Sequence, residues 1–286
     1  MIEDISNWKK DETKEATGTR EKFWLINPQT EKNYLFKLPT ENTGEIWAEK
    51  IAAEVGKIMG LKMMNVEIAT YQGRRGLLLE NFVDYGNEEF YNGGDLLDPI
   101  VENFDPKYLP HYTFSNIVDS LVAFSFEDEI IKIIIFDALI ANQDRHCENW
   151  GVIQKNVDGQ FRFAPIFDNG ASLGFNNTEE RVHLMFKDKN MFESFTNKGK
   201  STIGVESVRK RPKIKVLLEE VHSRFPEIVK NEIQRLEHLQ KEGIKHIVNS
   251  LPSEVISETH KIWVEKLLLY RKEWLINWYK GELGHD

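Results

Sequence analysis

Aromatic and branched apolar residues are concentrated in two short runs near the start of the chain. The runs are EKFWLIN (residues 21–27) and KNYLFKL (residues 32–38), and the turn-prone segment PQTE joins them. Two such runs joined by a turn predict a β-hairpin. Between residues 45 and 59 the apolar positions recur at intervals of three and four, which predicts a helix that ends before Gly60. Two further strand-like runs, at 65–70 and 75–84, make the first third of the chain rich in β-structure.

The pattern changes after a segment rich in Gly, Asp and Pro at residues 92–110. Helical spacing follows at 115–125 and 127–141, and again from about 213 to 282. Between these regions lies WGVIQKNVDGQFRFAPIFD, in which Asp158-Gly159 predicts the turn of a second hairpin. The order of elements predicts an α+β fold of two lobes, with a β-rich N-terminal lobe at 1–84 and a mainly helical C-terminal lobe at 85–286. Clefts between lobes are common ligand sites.

Composition and charge narrow the classes of protein to consider. The chain has 286 residues and a formal net charge of −9, which argues against direct binding to nucleic acid or to an anionic membrane, with the basic segment 208–215 as a local exception. One cysteine cannot form an internal disulfide, and no secretory leader opens the chain, so we expect a cytoplasmic location. The most apolar run, 130–141, is too short to span a membrane and contains Lys132 and Asp137.

A dense polar motif, NQDRHCENWGVI, directly follows the apolar helix predicted at 127–141. Asp144 and Asn149 lie five residues apart within it, and the second hairpin returns the chain to Asp168. Two carboxylates and an amide can converge at one point in this arrangement, and hard oxygen donors of this kind suit Mg²⁺. Protein kinases space their catalytic Asp, their metal-binding Asn and their metal-binding Asp in this way.

A strand lysine and a helix glutamate should complete such a site, because kinases hold the α- and β-phosphates with an ion-paired lysine. Lys37 fits the first role, since the alternation places it on the face of its strand opposite Phe36, toward the cleft. Glu49 is predicted to be its partner on the helix at 45–59. Glu45, one turn earlier, remains the alternative.

The motifs NQDRHCENWGVI, FAPIFDNGASLGF, YLFKLP and EATGTREKFWL together resemble the HipA-like serine/threonine kinases. The resemblance extends over about residues 15–180 and more loosely over the helical remainder. It implies a protein-kinase-like bilobal fold and the ATP- and Mg²⁺-dependent phosphorylation of a Ser or Thr on a protein substrate. It also implies that Asp144 is the catalytic base and that Asn149 and Asp168 bind Mg²⁺.

The resemblance assigns further nucleotide contacts. The family's phosphate loop, of the form G-x-x-E-K, matches Gly18, Glu21 and Lys22 and includes Thr19. Its hinge, of the form E-x-F, matches Glu80, Asn81 and Phe82. The segment after the metal-binding Asp, residues 171–205, would be a substrate loop.

The resemblance also bears on regulation. The full toxins of the family carry an additional N-terminal domain, so we expect this chain to be a stand-alone kinase core. The serine that some members autophosphorylate aligns with Glu15, with Thr13 and Thr17 nearby. An antitoxin or another regulatory protein is the partner that the toxins of the family imply.

Two alternatives to a protein kinase stay open. The DRH-x-x-N core also resembles that of phosphatidylinositol 3- and 4-kinases, which implies a lipid acceptor and a catalytic role for His146 beside Asp144. A nucleotide-binding pseudokinase module is the other. Cys147 has no C-x-x-C partner, so a zinc site is not expected.

Overall fold

The computed structural model describes residues 2–14 and 20–281. The strands are β1 (Glu3–Asp4), β2 (Lys9–Lys10), β3 (Lys22–Ile26), β4 (Asn33–Lys37), β5 (Val66–Tyr71), β6 (Arg74–Glu80), β7 (Glu88–Asn92), β8 (Gly151–Lys155) and β9 (Phe161–Phe163). The helices are α1 (Glu45–Ile58), α2 (Gly93–Leu97), α3 (Phe114–Leu121), α4 (Glu127–Ile140), α5 (Glu179–Lys187), α6 (Lys189–Asn197), α7 (Ile214–Arg224), α8 (Pro226–Arg235), α9 (Lys241–Ser250) and α10 (Glu258–Tyr279). A β-rich first part and a helical second part confirm the predicted α+β class.

A six-stranded sheet in the order β1-β5-β6-β4-β3-β2 forms the β-rich part. Strands β3 and β4 form the predicted hairpin, in which Lys22 pairs with Lys37 and Phe23 pairs with Phe36. Because side chains alternate between the two faces of a strand, Phe36 enters an apolar cluster on the outer face. Lys37 lies on the opposite face, which borders a cleft. The predicted orientation of the lysine is therefore confirmed.

The first residues of the chain cover both edges of this sheet. Strand β1 pairs in parallel with β5, and β2 pairs antiparallel with β3. Ile5 and Trp8, between these two strands, are buried in the outer apolar cluster with Phe36 and Leu78. The alternation pattern does not predict β1 or β2, because each is only two residues long.

Helix α1 ends as the sequence predicts. Its last residue is Ile58, Met59 is the C-cap, and Gly60 adopts a left-handed conformation with φ of 72°. Glycine is favoured there because the absence of Cβ removes the steric cost of positive φ. The helix packs against β5 and α9, so it connects the sheet to the helical part.

A second, three-stranded sheet has the order β7-β8-β9. Strands β8 and β9 form the second predicted hairpin, and Gly159 adopts φ of 68° in its turn. The strand predicted at 75–84 is shorter than expected, since β6 ends at Glu80. The chain then forms β7, which the sequence pattern does not predict and which pairs with β8.

Helix α4 forms the centre of the helical part. Every residue from Ile133 to Ile140 is buried, and α7, α8 and α10 pack around it. The aromatic stripe at 262–279 belongs to the same core, because Trp263, Trp274 and Trp278 are buried. In the part of the chain that the structure describes, no helix is both long and apolar enough to cross a membrane. The buried helix gives the polar motif after it a rigid support.

The segment 171–205, expected to be a loop, contains α5 and α6. Side-chain caps explain why helices form there. Thr178 Oγ1 accepts a hydrogen bond from the N–H of Arg181 at 3.3 Å, and Asp188 Oδ1 accepts one from the N–H of Met191 at 3.1 Å. Such caps satisfy donors that the first helical turn leaves unpaired.

Candidate active site

Lys37 is the last residue of β4 and is only 9% exposed. Its Nζ atom is 2.9 Å from Asp168 Oδ1 and 3.2 Å from Glu45 Oε1. The bond to Asp168 joins the sheet to the segment after the second hairpin. A buried ammonium held between two carboxylates has a fixed position, because moving away would leave the charges unpaired.

The partner of Lys37 on α1 is Glu45, and the prediction of Glu49 is wrong in this respect. Glu45 lies in the first turn of α1, where its carboxylate also pairs with Arg20. It accepts hydrogen bonds from the backbone N–H and the hydroxyl of Thr40, at 3.0 and 3.1 Å. Thr40 belongs to the link between β4 and α1, so this link brings the first turn of the helix, rather than the second, against the lysine.

Glu49 is buried beside the site and is 1% exposed. Its Oε1 accepts a hydrogen bond from Asn169 Nδ2 at 3.4 Å, and its Oε2 has no hydrogen-bond partner among the described residues. Burial raises the pKa of the Glu49 carboxyl, the charge of Asp168 adds to this, and Lys37 acts in the opposite direction. The predicted contact between Glu49 and a nucleotide stays a prediction.

Asp144 lies with an exposed side chain in a polar loop (residues 142–149) that follows α4. Its N–H donates to Asn142 Oδ1 at 3.1 Å. Its carbonyl accepts from the His146 N–H and from Asn149 Nδ2, both at 2.9 Å. Asn149 is 4% exposed, and because its Nδ2 is used in the loop, Oδ1 is the end of the amide that can receive a ligand.

His146 stabilises the polar loop. It caps the short 3₁₀ helix Cys147–Asn149, where its Nδ1 accepts a hydrogen bond from the N–H of Glu148 at 3.3 Å. This contact fixes the orientation of the ring at the start of the short helix. The predicted catalytic role of His146 stays a prediction.

Cys147 is a core residue of the polar loop. It is 5% exposed, and burial, assisted by the charge of Glu148, raises the pKa of its thiol to about 11. Across residues 2–14 and 20–281, no group of three or more His, Cys, Asp and Glu side chains is arranged to hold a metal ion.

Arg145 connects the polar loop to its surroundings. It is 2% exposed and donates to both carboxylate oxygens of Asp137, at 2.9 and 2.8 Å. It also donates to the carbonyls of Asn149 and Phe167, at 2.9 and 2.7 Å, and to Asn169 Oδ1 at 2.7 Å. The motifs in the sequence do not assign this role to Arg145. The available signal is Asp137, because a carboxylate inside an apolar helix needs a buried partner.

Asp168 has a left-handed backbone, with φ of 54°. A residue with a Cβ adopts this conformation at an energetic cost, and such residues cluster at functional sites. Burial acts to raise the pKa of the Asp168 carboxyl, but the nearby charges of Lys37, Arg145 and His146 outweigh it and lower the pKa. Asp168 is therefore an anion at neutral pH.

One cleft of about 800 Å³, a volume within the usual range of ligand sites, borders part of this group of residues, whereas Glu49, Arg145 and Cys147 do not line it. The predicted site residues that line it are Lys22, Lys37, Glu80, Asn81, Phe82, Asp144, His146, Asn149 and Asp168. Glu45 lines it as well, whereas Gly18 and Thr19 lie outside the described residues. One carboxylate, Asp168, and one amide oxygen, on Asn149, are hard donors that suit Mg²⁺.

The far end of the cleft is formed by the predicted hinge and by aromatic rings. Phe82 lies with its ring centre 5.3 Å from that of Phe167 and 5.9 Å from that of Phe90. The Glu80 carboxylate is occupied by hydrogen bonds from Lys32 and Asn65, both at 2.7 Å, which lower its pKa. This end therefore offers apolar, aromatic surface to a planar ligand.

The model of one protein family, the HipA-like C-terminal domain, matches residues 15–229 of the chain. The chain belongs to this family. The matched range contains all the residues described around the cleft, and family membership confirms the resemblance carried by the motifs.

Three comparisons place this family member among known proteins. The serine/threonine-protein kinase CtkA of Helicobacter pylori strain J99 is 25% identical over 140 residues, which are 46% of this chain and 41% of that protein. The crystal structure of the proinflammatory kinase CtkA from Helicobacter pylori has a TM-score of 0.85 at 18% identity and covers 98% of this chain and 97% of that chain. The HipA chain in a Shewanella oneidensis MR-1 complex of HipA, HipB and operator DNA has a TM-score of 0.65 at 14% identity, with 94% and 66% covered.

The sequence alignment with CtkA thus spans about two fifths of that relative's length. The two structural similarities, at low identity, establish the fold, which is the bilobal α+β fold expected from the sequence.

Proposed function

We propose that this chain is a protein kinase that transfers the γ-phosphoryl group of ATP, with Mg²⁺, to a Ser or Thr hydroxyl of a protein. The observation that carries the proposal is the meeting of Lys37, Asn149 and Asp168 in one cleft, with Asp144 at its border. Lys37 and Asp168 are 2.9 Å apart although they lie on different parts of the fold. The kinase CtkA of Helicobacter pylori, which this chain resembles in sequence and in structure, supports the same activity.

The nucleotide would lie with its base at the far end of the cleft, against the hinge, Glu80 to Phe82, and the aromatic rings beside it. Lys37 would bind the phosphates, and Glu45 would keep its ammonium in position. Lys22 lines the cleft directly opposite Lys37 across the hairpin, so it would add a second positive charge near the phosphates.

The oxygens of Asn149 and Asp168 would hold Mg²⁺, which neutralises phosphate charge when bound. The hydrogen bond from Asn149 Nδ2 to the Asp144 carbonyl fixes the amide, so Oδ1 is pre-positioned. Asp144 would orient the acceptor hydroxyl and accept its proton. Phosphoryl transfer gains most of its rate from such positioning and charge neutralisation.

A regulatory protein partner belongs to the same proposal. One structural neighbour, HipA of Shewanella oneidensis, is named in a complex with HipB. Only 66% of that HipA chain is covered, so this support extends to the shared core alone. Co-purification of this chain with the product of an adjacent antitoxin-like gene tests for such a partner. If the two proteins are co-expressed and do not purify together, the proposed partner is contradicted.

Replacement of Asp144 by asparagine tests the kinase proposal. With γ-labelled ATP, Mg²⁺ and a mixture of Ser- and Thr-containing protein acceptors, we expect transfer to fall by at least about 100-fold, the usual effect of removing a general base. ATP binding, followed by calorimetry, should be retained because Asp144 is assigned no nucleotide contact. Asp158→Asn, in the turn of the second hairpin, makes the same chemical change outside the cleft and should leave transfer unchanged.

The outcomes separate the alternatives. Equal transfer by Asp144→Asn and the wild type rules out the role of Asp144. ATP binding without transfer to any acceptor favours a pseudokinase module. Transfer to phosphatidylinositol vesicles in place of protein identifies a lipid kinase.

A further inference from the structure

A second cavity, of about 400 Å³, lies beside the polar loop. Asp144 and Ala171 line both this cavity and the cleft, so the two spaces meet at the proposed base. Helices α5, α6 and α10 supply other walls, through Arg181, Phe195 and Arg271. An acceptor that lies in this cavity could place its hydroxyl at Asp144, where the cavity meets the cleft that would hold the phosphates. The cavity is therefore placed to receive the neighbouring part of the acceptor.

Asn177 lies in the wall of this cavity and has an unpartnered side-chain amide. The residue is 4% exposed, and neither its Oδ1 nor its Nδ2 has a hydrogen-bond partner in the described structure. Its backbone is fixed, because its N–H donates to the Gly174 carbonyl at 2.9 Å and its carbonyl lies 2.9 Å from His260 Nε2. Buried amides are nearly always hydrogen-bonded, so a fixed amide without a partner points to a ligand.

Arg271, on α10, adds a buried positive charge to the cavity wall. It is 2% exposed and donates from Nε to the Ala138 carbonyl and from Nη1 to the Thr196 carbonyl, both at 2.7 Å. Among the described residues no carboxylate pairs with it. Burial lowers the pKa of Arg271 to about 10, which still leaves the guanidinium charged at neutral pH. A buried arginine with donors to spare and no acid beside it suits an anion.

The rim of the cavity is basic as well. Lys200 and Arg181 line it with exposed side chains. The basic segment 208–215 lies against the polar loop, since Arg211 donates to the Gln143 carbonyl at 2.6 Å. The segment therefore adds positive charge close to the cavity, a role that does not require binding to nucleic acid.

Two carboxylates also border the cavity, and they limit where an anion can lie. Asp137 is held by Arg145 at 2.8 Å, so its charge is paired. Asp144, at the junction with the cleft, has no ion pair among the described residues. An anion would therefore settle at the end near Arg271 and Asn177, away from Asp144.

We propose that this cavity binds an acidic side chain, a carboxylate or a phosphorylated residue, that lies close to the Ser or Thr hydroxyl in the protein acceptor. The proposal rests on the proposed kinase function and specifies its substrate class. Arg271 and Asn177 would donate to the acidic group, while Lys200 and Arg181 would attract it from solution. The hydroxyl beside it would then reach Asp144.

The test uses three series of synthetic serine peptides with the full chain, γ-labelled ATP and Mg²⁺. The residues flanking the serine are aspartate, phosphoserine or glutamine, and the distance from the serine is varied within each series. For the wild type we expect kcat/KM to be about 10-fold higher for at least one acidic series than for glutamine, mainly through a lower KM, since charge-assisted hydrogen bonds strengthen binding. The two acidic series separate a carboxylate from a phosphate.

Asn177→Asp brings an acidic group into the cavity wall with almost no change of shape, so the ratio of kcat/KM for acidic peptides to kcat/KM for glutamine peptides, both measured with this variant, should fall to about one. Lys200→Gln, at an exposed position, should reduce the preference several-fold without any risk to folding. Lys187→Gln is the matched control, because Lys187 is an exposed lysine on α5 that does not line the cavity.

Equal rates on acidic and glutamine peptides overturn this inference and leave the kinase proposal standing. An acidic preference that survives both Asn177→Asp and Lys200→Gln also overturns it, because the anion must then bind elsewhere. If no peptide is phosphorylated and phosphoinositide vesicles are, both proposals are wrong. Loss of the preference in the two variants, with Lys187→Gln unchanged, supports the inference.

Discussion

Replacement of Arg145 by lysine tests the buried network under the polar loop. The arginine makes five hydrogen bonds from three nitrogens to acceptors on α4, the polar loop and the segment at 167–169. A lysine ammonium keeps the charge but carries only three donors, all on one atom. At least two of the five hydrogen bonds must therefore be lost, although Asp137 Oδ1 also accepts one from Asn142 Nδ2 at 2.9 Å and keeps it.

The expected loss of stability follows from the number of hydrogen bonds that are lost. Each lost hydrogen bond that involves a charged group costs roughly 1.5–3 kcal/mol, so Arg145→Lys should lower the free energy of unfolding by about 3 kcal/mol. Proteins have a total stability of about 5–15 kcal/mol, so the variant should still fold, with its folded-to-unfolded ratio reduced roughly 100-fold. Phosphoryl transfer should fall as well, because the same bonds position Asn149 and the segment that carries Asp168.

Urea unfolding, followed by tryptophan fluorescence, measures this change. Arg74→Lys is the matched control, since Arg74 binds both oxygens of Glu21, at 2.7 and 2.8 Å, at an exposed site. Exposed pairs contribute little, so the control should unfold at the wild-type urea concentration. If the two variants unfold at the same concentration, the reasoning from burial and hydrogen bonding is refuted.

Three further predictions use other residues. Glu45→Gln should weaken ATP binding in calorimetry by about 10-fold more than Glu49→Gln does, since Glu45 holds the phosphate-binding lysine; the reverse order would restore Glu49 as the partner. Cys147 should react with iodoacetamide only after unfolding, because it is buried and its pKa is about 11; rapid labelling of the native protein contradicts this. The hydrogen bond from Arg162 lowers the pKa of Glu88, so its stabilisation is present above the ordinary glutamate pKa and is lost as the pH falls through the folded-state value. Melting curves should therefore show a difference between Glu88→Gln and the wild type that shrinks in acid.

Elements with a local sequence signal are the ones that the sequence predicts well. Helix α1 and the β3–β4 hairpin form where apolar spacing indicates, because neighbouring residues alone create a buried face. Strand β7 has no such signal, since its partner β8 lies far along the chain. Its formation depends on tertiary pairing, which periodicity does not record.

The residues of the site also separate into those with a local sequence signal and those that depend on tertiary contacts. The five-residue spacing of Asp144 and Asn149 is local and forms a single hydrogen-bonded loop. The choice of Glu45 over Glu49 depends on how the link after β4 approaches the helix, and both glutamates fit the helical pattern. Arg145 pairs with Asp137 inside the core. The one signal in the sequence for this ion pair is a carboxylate within an otherwise apolar helix.

The two short strands at the start of the chain have a consequence for the protein in solution. Open sheet edges recruit strands from other molecules, and β1 and β2 occupy the outer positions of the large sheet. Removal of residues 3–10 would free the edges of β5 and β3 and uncover Leu25 and Phe36 in the outer cluster. We expect such a shortened protein to aggregate. Residues 3–10, which do not line the cleft, would therefore protect the protein against self-association.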